Sequence, residues 1–115
     1  MAKITALGYV VPVRDLDKAA AFYCEAFDLR RVFENERIVF VGIPGGDTAL
    51  GLVLDPEHAG SGPMNVGLHV DHAVAPDDAI RDVEKAGGKL VERGEHMPGV
   101  PWEKIADPDG NVLEI

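Results

Sequence analysis

Residues 107–115, DPDGNVLEI, combine a tight turn with a short apolar strand that carries one carboxylate, Glu114. Proline, glycine and aspartate at these spacings are typical of a turn in which the aspartate side chains bond to nearby backbone amides. An earlier stretch, residues 44–52 (PGGDTALGL), matches it in turn residues and in apolar positions. The match aligns Gly51 with Glu114 and predicts that the chain contains an internal duplication.

The rest of the chain follows the same duplicated order. Residues 4–13 predict a strand, and Asp15 is a suitable N-cap for an amphipathic helix over residues 16–27. Three more strands are predicted, and the order strand, helix, strand, strand, strand then repeats. The parts of the predicted single domain, residues 1–115, are a module at 4–54, a glycine- and proline-rich linker at 55–64 and a module at 65–115.

Composition limits the classes of partner. Lysine and arginine number 11 against 20 aspartates and glutamates, which gives a net charge of −9 and argues against nucleic acid and anionic membranes as partners. No stretch approaches the roughly 18 apolar residues of a membrane span. The single cysteine, Cys24, excludes an intrachain disulfide, and we expect it to be a buried helix residue in a cytoplasmic protein.

Two stretches carry a family resemblance: VRDLDKAAAFYCEAFDL (13–29) and DPDGNVLEI (107–115). With the repeated βαβββ order, the chain resembles the glyoxalase/bleomycin resistance/dioxygenase superfamily, also called vicinal oxygen chelate proteins. The resemblance implies an α+β fold in which the modules form a cupped, barrel-like mixed sheet with the helices outside. It also implies a small-molecule cavity and a homodimer. Members include metal-dependent lyases, isomerases and dioxygenases, and metal-free proteins that bind antibiotics.

The resemblance also implies four metal-ligand positions, one on each first or last strand of a module. In this chain they are Gly8, Gly51, Asn65 and Glu114, and only Glu114 has a side chain of the usual ligand type. A transition metal needs three or four donors at about 2 Å, and glycine supplies no side-chain donor. We therefore predict no metal and no other cofactor.

Strand alternation places these four positions on one face of the sheet, opposite the helices. Glycines on that face remove side chains, which predicts open volume and close access to the backbone. His69 is the one histidine expected there, whereas His58, His72 and His96 are expected at the surface, His96 in a loop. The predicted ligand-binding residues are Gly8, Val10, Gly51, Asn65, Gly67, His69, Trp102 and Glu114.

Three functions remain open. The leading hypothesis is a metal-independent protein that binds a small organic molecule, cationic or aromatic, as in antibiotic sequestration. The alternative is a metal-dependent lyase, isomerase or dioxygenase in which Glu114 and His69 act with donors from a partner chain. A third possibility is a protein-interaction module with a vestigial pocket.

Overall fold

The protein has two helices and eight strands among the residues that its structure, a computed structural model, describes. These residues are 8–46, 48–60, 63–67, for which the description covers the backbone, and 74–115. The elements are β1 (Gly8–Val13), α1 (Leu16–Phe27), β2 (Arg30–Glu34), β3 (Ile38–Gly42), β4 (Ala49–Leu54), β5 (Pro63–Gly67), α2 (Pro76–Lys85), β6 (Lys89–Met97), β7 (Val100–Ala106) and β8 (Val112–Glu114). The order confirms the predicted α+β class with two βαβββ units.

Each unit builds a four-stranded sheet, in the orders β1-β4-β3-β2 and β5-β8-β7-β6. The first and last strands of a unit are parallel, and the other neighbours are antiparallel. Together the strands form a curved mixed sheet that does not close into a barrel. Val10 pairs with Gly51 in the first sheet, and Gly67 pairs with Glu114 in the second. The alignment of Gly51 with Glu114 is therefore confirmed by the strand register.

A β-bulge recurs at the same place in both sheets. The β2–β3 register shifts between Arg31 and Phe33, and the β6–β7 register shifts between Leu90 and Glu92. The extra residue is a valine in each case, Val32 or Val91. A bulge bends its strand and increases the local twist, so the two sheets curve at equivalent positions. The duplication therefore extends to irregular features of the backbone.

The helices begin where the sequence predicts. The Asp15 side chain accepts a hydrogen bond from the Lys18 amide at 3.0 Å, which caps α1. Helix α2 begins at Pro76, whose missing N–H costs nothing in a first turn. Neither helix of the described residues is long and apolar enough to cross a membrane. Strand β5 begins at Pro63, two residues before the predicted strand.

The core lies between the helices and one face of the sheets. The strand residues that are buried on this face are Val11, Val13, Val39, Val41, Leu50, Leu52, Ile105 and Leu113, and they pack with Ala19, Ala20, Phe22, Tyr23, Ile80 and Val83 of the helices. The alternate strand residues point the other way. We call that opposite surface the cup face; it carries Val10, Phe33, Phe40 and Gly51 in the first sheet and Glu92, Gly94, Trp102, Lys104 and Glu114 in the second.

A buried hydrogen bond joins the two stretches that carry the family resemblance. The Tyr23 hydroxyl of α1 donates to Oδ2 of Asp107, in the turn before β8, at 2.7 Å. Burial, and then the nearby Asp107 carboxylate, raise the pKa of Tyr23 far above its usual value. The other Asp107 oxygen accepts from the Asp109 and Asn111 amides, which confirms that this aspartate organises the turn.

Further hydrogen bonds from the same turn reach the end of β1. Asn111 donates from Nδ2 to the Pro12 carbonyl at 2.9 Å, and the Arg14 amide donates to Asp109 at 3.1 Å. The side chain of Arg14 also donates to the Asp109 carbonyl at 2.9 Å. We call these residues together with Tyr23 and Asp107 the inter-module cluster. These hydrogen bonds connect α1 and the end of β1 to the turn before β8, and so link the first βαβββ unit to the second.

Candidate functional site

On the first sheet the cup face is apolar and aromatic. Val10, Gly51, Phe40 and Phe33 lie in one row across four neighbouring strands. Val10 is 69% exposed and Phe33 is 51% exposed, and the two phenylalanine rings lie 5.5 Å apart between centroids. Apolar side chains displayed in a row offer area for burying the apolar part of a ligand.

Gly51 allows the Phe40 ring to lie against the sheet. A Cβ atom at Gly51 would stand 3.0 Å from a carbon of the Phe40 ring. The prediction that this glycine leaves open volume is therefore wrong, because its cross-strand neighbour Phe40 fills the space. The glycine instead lets the aromatic ring lie low and present a face outward.

On the second sheet the equivalent row is charged. Gly67, Glu114, Lys104 and Glu92 are paired across four strands in the register that brings Val10, Gly51, Phe40 and Phe33 together in the first sheet. Lys104 lies directly between the two carboxylates in the ladder. Its ammonium makes no ion pair with either described glutamate and lies 5.4 Å from the centroid of the Trp102 ring instead.

Glu114 has a partner that the sequence did not predict. His96 donates from Nε2 to Oε1 of Glu114 at 2.7 Å, because a carboxylate can only accept. The prediction that His96 lies in a loop is wrong: β6 continues to Met97 and includes it. The surface position is correct, since the His96 side chain is 56% exposed, and that of Glu114 is 38% exposed.

The signal for His96 was present in the alternation of β6. Glu92, Gly94 and His96 occupy every second position of the strand, and the first two lie opposite cup-face residues of β7. A second register shift, between Glu95 and Met97, leaves His96 as an extra residue near the hairpin end. A bulge changes the direction of a side chain in a way that alternation alone does not predict.

Trp102 repeats the arrangement of Phe40 on a glycine. A Cβ atom at Gly94, the cross-strand neighbour, would stand 2.6 Å from a ring carbon of Trp102. The indole therefore lies flat on β6, with the His96 ring 6.1 Å away between centroids. Each sheet thus presents one aromatic ring that rests on a glycine.

For the other predicted site residues the structure gives the strand position only, or no description. Gly8 begins β1 with an exposed position, and Asn65 and Gly67 lie in β5. His69, the proposed alternative ligand and catalytic residue, lies outside the described residues. Cys24 is half-buried, and burial raises the pKa of its thiol, which disfavours the reactive thiolate.

The described donors do not match a metal centre. Among residues 8–46, 48–60 and 74–115, no group of three histidine, cysteine, aspartate or glutamate side chains is placed to hold an ion. Glu114 and His96 supply two donors and are already bonded to each other. A zinc-type or iron-type site needs at least three, so the side chains that the structure describes do not by themselves fit such an ion.

The family of the chain follows from its sequence as a whole. Residues 5–115 match the model of the glyoxalase/bleomycin resistance protein/dioxygenase superfamily. The chain belongs to this superfamily. Among curated proteins, none matches it in sequence.

Solved structures of this superfamily share the fold at low sequence identity. A glyoxalase-related enzyme from Fulvimarina pelagi is 25% identical, with a TM-score of 0.71 over 97% of this chain and 87% of that one. A lactoylglutathione lyase from Agrobacterium tumefaciens is 23% identical, with a TM-score of 0.73 over 98% and 93%. A bleomycin resistance determinant encoded on the transposon Tn5 is 20% identical, with a TM-score of 0.72 over 96% and 95%. The superfamily member described here thus resembles enzymes and resistance proteins alike in fold.

Proposed function

We propose that this superfamily member binds a small organic molecule on its cup face without the help of a metal ion. The observation that carries the proposal is the chemistry of the four family ligand positions. Two of them, Gly8 and Gly51, have no side chain, and a third, Asn65, has an uncharged amide. What the cup face offers instead is aromatic area and separate charged groups, which suit an organic ligand.

The two halves of the cup face favour a ligand that has an aromatic part and a cationic part. The row from Val10 to Phe33 is apolar and exposed, so covering it removes apolar area from water. Glu114 on the second sheet supplies a carboxylate, and the net charge of −9 attracts cations over a longer range. An amine-bearing aromatic molecule meets both requirements, in line with the bleomycin resistance determinant of the same fold.

Calorimetric titration tests this proposal directly. The wild-type protein, treated with a chelator, is titrated with bleomycin, other cationic peptide antibiotics and a series of aromatic amines. We expect at least one of these ligands to bind with a heat that the chelator does not change. Absence of binding across the whole series contradicts the proposal, and binding that requires added metal contradicts its metal independence.

A charge-matched pair of variants locates the ligand. Glu114→Gln removes the cup-face carboxylate, and Glu84→Gln removes an exposed carboxylate on α2, which lies against the opposite face of the sheet. We expect about tenfold weaker binding for Glu114→Gln, since a hydrogen bond to a charged group contributes about 1.5–3 kcal/mol. Equal losses in both variants would indicate a general effect of net charge.

A metal-dependent enzyme is the second candidate, and the contact between Glu114 and His96 favours it. A carboxylate and an imidazole are both common ligands of zinc and iron, and His69 or donors from a partner chain would have to complete the set. Elemental analysis of tag-free protein separates the candidates. One equivalent of nickel, zinc, iron or manganese that is lost in Glu114→Gln favours the enzyme.

Oligomeric state and location are further parts of the proposal. We propose a cytoplasmic homodimer. The free thiol of Cys24 supports the location, and the dimer expected from the family resemblance supports the assembly. Sedimentation of the wild-type protein tests the dimer. A cup face that proves covered in such a dimer and binds no small molecule supports the third possibility, a protein-interaction module.

A further inference from the structure

The Glu114 carboxylate is already hydrogen-bonded to a side chain of the protein, that of His96. The His96 ring lies between two cup-face groups: its Nε2 is 2.7 Å from the Glu114 carboxylate, and its centroid is 6.1 Å from that of Trp102. A ligand that uses the Glu114 carboxylate must therefore replace this hydrogen bond. Such a ligand binds best if it restores the contacts that His96 makes with Glu114 and Trp102.

The position of His96 suits a side chain that can be displaced. It is the extra residue of a bulge, next to the turn between β6 and β7, and its side chain is 56% exposed. The β6–β7 hairpin also extends past β8, because Glu114 pairs with Lys104 and Ile115 bonds to Glu103, short of the hairpin turn. Moving the imidazole away from Glu114 therefore breaks one hydrogen bond and disturbs no core contact.

We propose that His96 occupies the place of the ligand, and that the site takes planar nitrogen heterocycles or aromatic amines whose N–H donates to Glu114 while the ring lies near Trp102. This inference rests on the proposed function of the same face, and it narrows the ligand class. The imidazole has the two properties that the site recognises: a flat ring and an N–H donor. A ligand with both replaces His96 with equivalent contacts, whereas an aliphatic ammonium leaves the position beside Trp102 unfilled.

Removal of the His96 side chain makes the inference testable with a defined probe. The probe is 4-methylimidazole, which is the histidine side chain detached from the backbone. It is titrated into wild type, His96→Ala, the double variant His96→Ala/Glu114→Gln and the control His58→Ala. His58 is a close match, since its side chain is 65% exposed and pairs with Asp55 at 2.9 Å outside the cup face. Trp102 is the single tryptophan, so its fluorescence reports occupancy.

We expect His96→Ala to bind 4-methylimidazole about tenfold more tightly than wild type, because one hydrogen bond to a charged group is no longer satisfied internally. The double variant should lose this gain, and His58→Ala should behave as wild type. Equal affinity of His96→Ala and wild type overturns the inference. Failure here is distinguishable from failure of the proposed function, because 4-methylimidazole is a separate probe from the antibiotics and aromatic amines of the calorimetric series.

A second measurement avoids any effect of the substitution on folding. The imidazole signals of the wild-type histidines are followed by NMR as 4-methylimidazole is added to saturation. We expect the His96 signals to shift on saturation while the His58 signals stay in place. Unchanged His96 signals in the saturated protein would contradict displacement.

Discussion

The two sheets have one backbone plan and two different surfaces. Their strand order and one β-bulge coincide, as does the register of β3–β4 with that of β7–β8. Equivalent cup-face positions nevertheless hold Phe40 in one sheet and Lys104 in the other, or Gly51 and Glu114. The positions under the helices, such as Leu50 and its equivalent Leu113, are buried and apolar in both sheets. The two sheets therefore share their chemistry on the helix side and differ in it on the cup face.

The largest expected effect is a loss of stability when a core leucine is truncated, and we expect it to be equal in the two sheets. Leu50→Ala and Leu113→Ala change equivalent positions of β4 and β8, and each removes a buried side chain, 4% and 0% exposed. We expect each to lower the free energy of unfolding by about 2–5 kcal/mol, since each leaves a cavity. Urea denaturation measures both. A large loss in one sheet and a small loss in the other would show that the two halves of the core are not equivalent.

The next effect concerns the bond between the modules. Tyr23→Phe removes the hydroxyl that donates to Asp107, and we expect a loss of about 1.5–3 kcal/mol at neutral pH. Because the folded-state pKa of Tyr23 is raised, its contribution is complete below the usual tyrosine value of 10.0 and declines as pH rises above it. Wild type should therefore lose more stability than Tyr23→Phe between neutral pH and pH values above about 10.

The control for this pH dependence is Tyr9→Phe, which changes the other tyrosine of the chain, 48% exposed on β1. It should keep the wild-type decline in alkaline solution. Parallel pH profiles for wild type and Tyr23→Phe would contradict a raised pKa for the buried phenol.

A smaller effect is expected on the cup face itself. Lys104→Phe gives the second sheet the residue that the first sheet has at Phe40. We expect stability to change by less than about 1 kcal/mol, because Lys104 contributes little to the core. Cationic ligands should bind more tightly, because an ammonium next to Glu114 is removed. Urea denaturation and calorimetry check the two parts, and a loss of more than about 2 kcal/mol would show that this face also supports the fold.

The smallest expected effect is a change in tryptophan emission, which separates the two glycines that lie under aromatic rings. Gly94→Ala places a methyl group against Trp102, and Gly51→Ala places one against Phe40. Trp102 must move in the first variant, so we expect a shift in tryptophan emission there and none in the second. Unchanged emission from folded Gly94→Ala would contradict the flat position of the indole.

Local patterns predicted the elements because their causes are local. Asp15 caps its own helix, and the alternation of Val11 and Val13 with exposed neighbours follows from the geometry of a strand. The alignment of Gly51 with Glu114 succeeded because both modules keep one register. Helix and strand periodicity therefore specified most of the fold.

Local sequence patterns did not predict the contacts between side chains in the candidate site. The bond between His96 and Glu114 joins residues 18 positions apart and depends on a bulge at the end of β6. The Tyr23–Asp107 bond spans 84 positions. The Phe40 ring covers Gly51 because the two residues are exact cross-strand neighbours. The sequence predicted the two strands but not this pairing. Long-range partners of this kind are set by register and not by local propensity.

The inter-module cluster also determines how the halves of this protein depend on each other. Alignment of the modules puts Asp82 at the position of Tyr23, and Pro44 at that of Asp107. The reciprocal bond, from α2 to the first-module turn, therefore has neither its phenol nor its carboxylate. A protein built from two copies of either half would lack one member of the pair at every junction, so the two halves are not interchangeable at this bond.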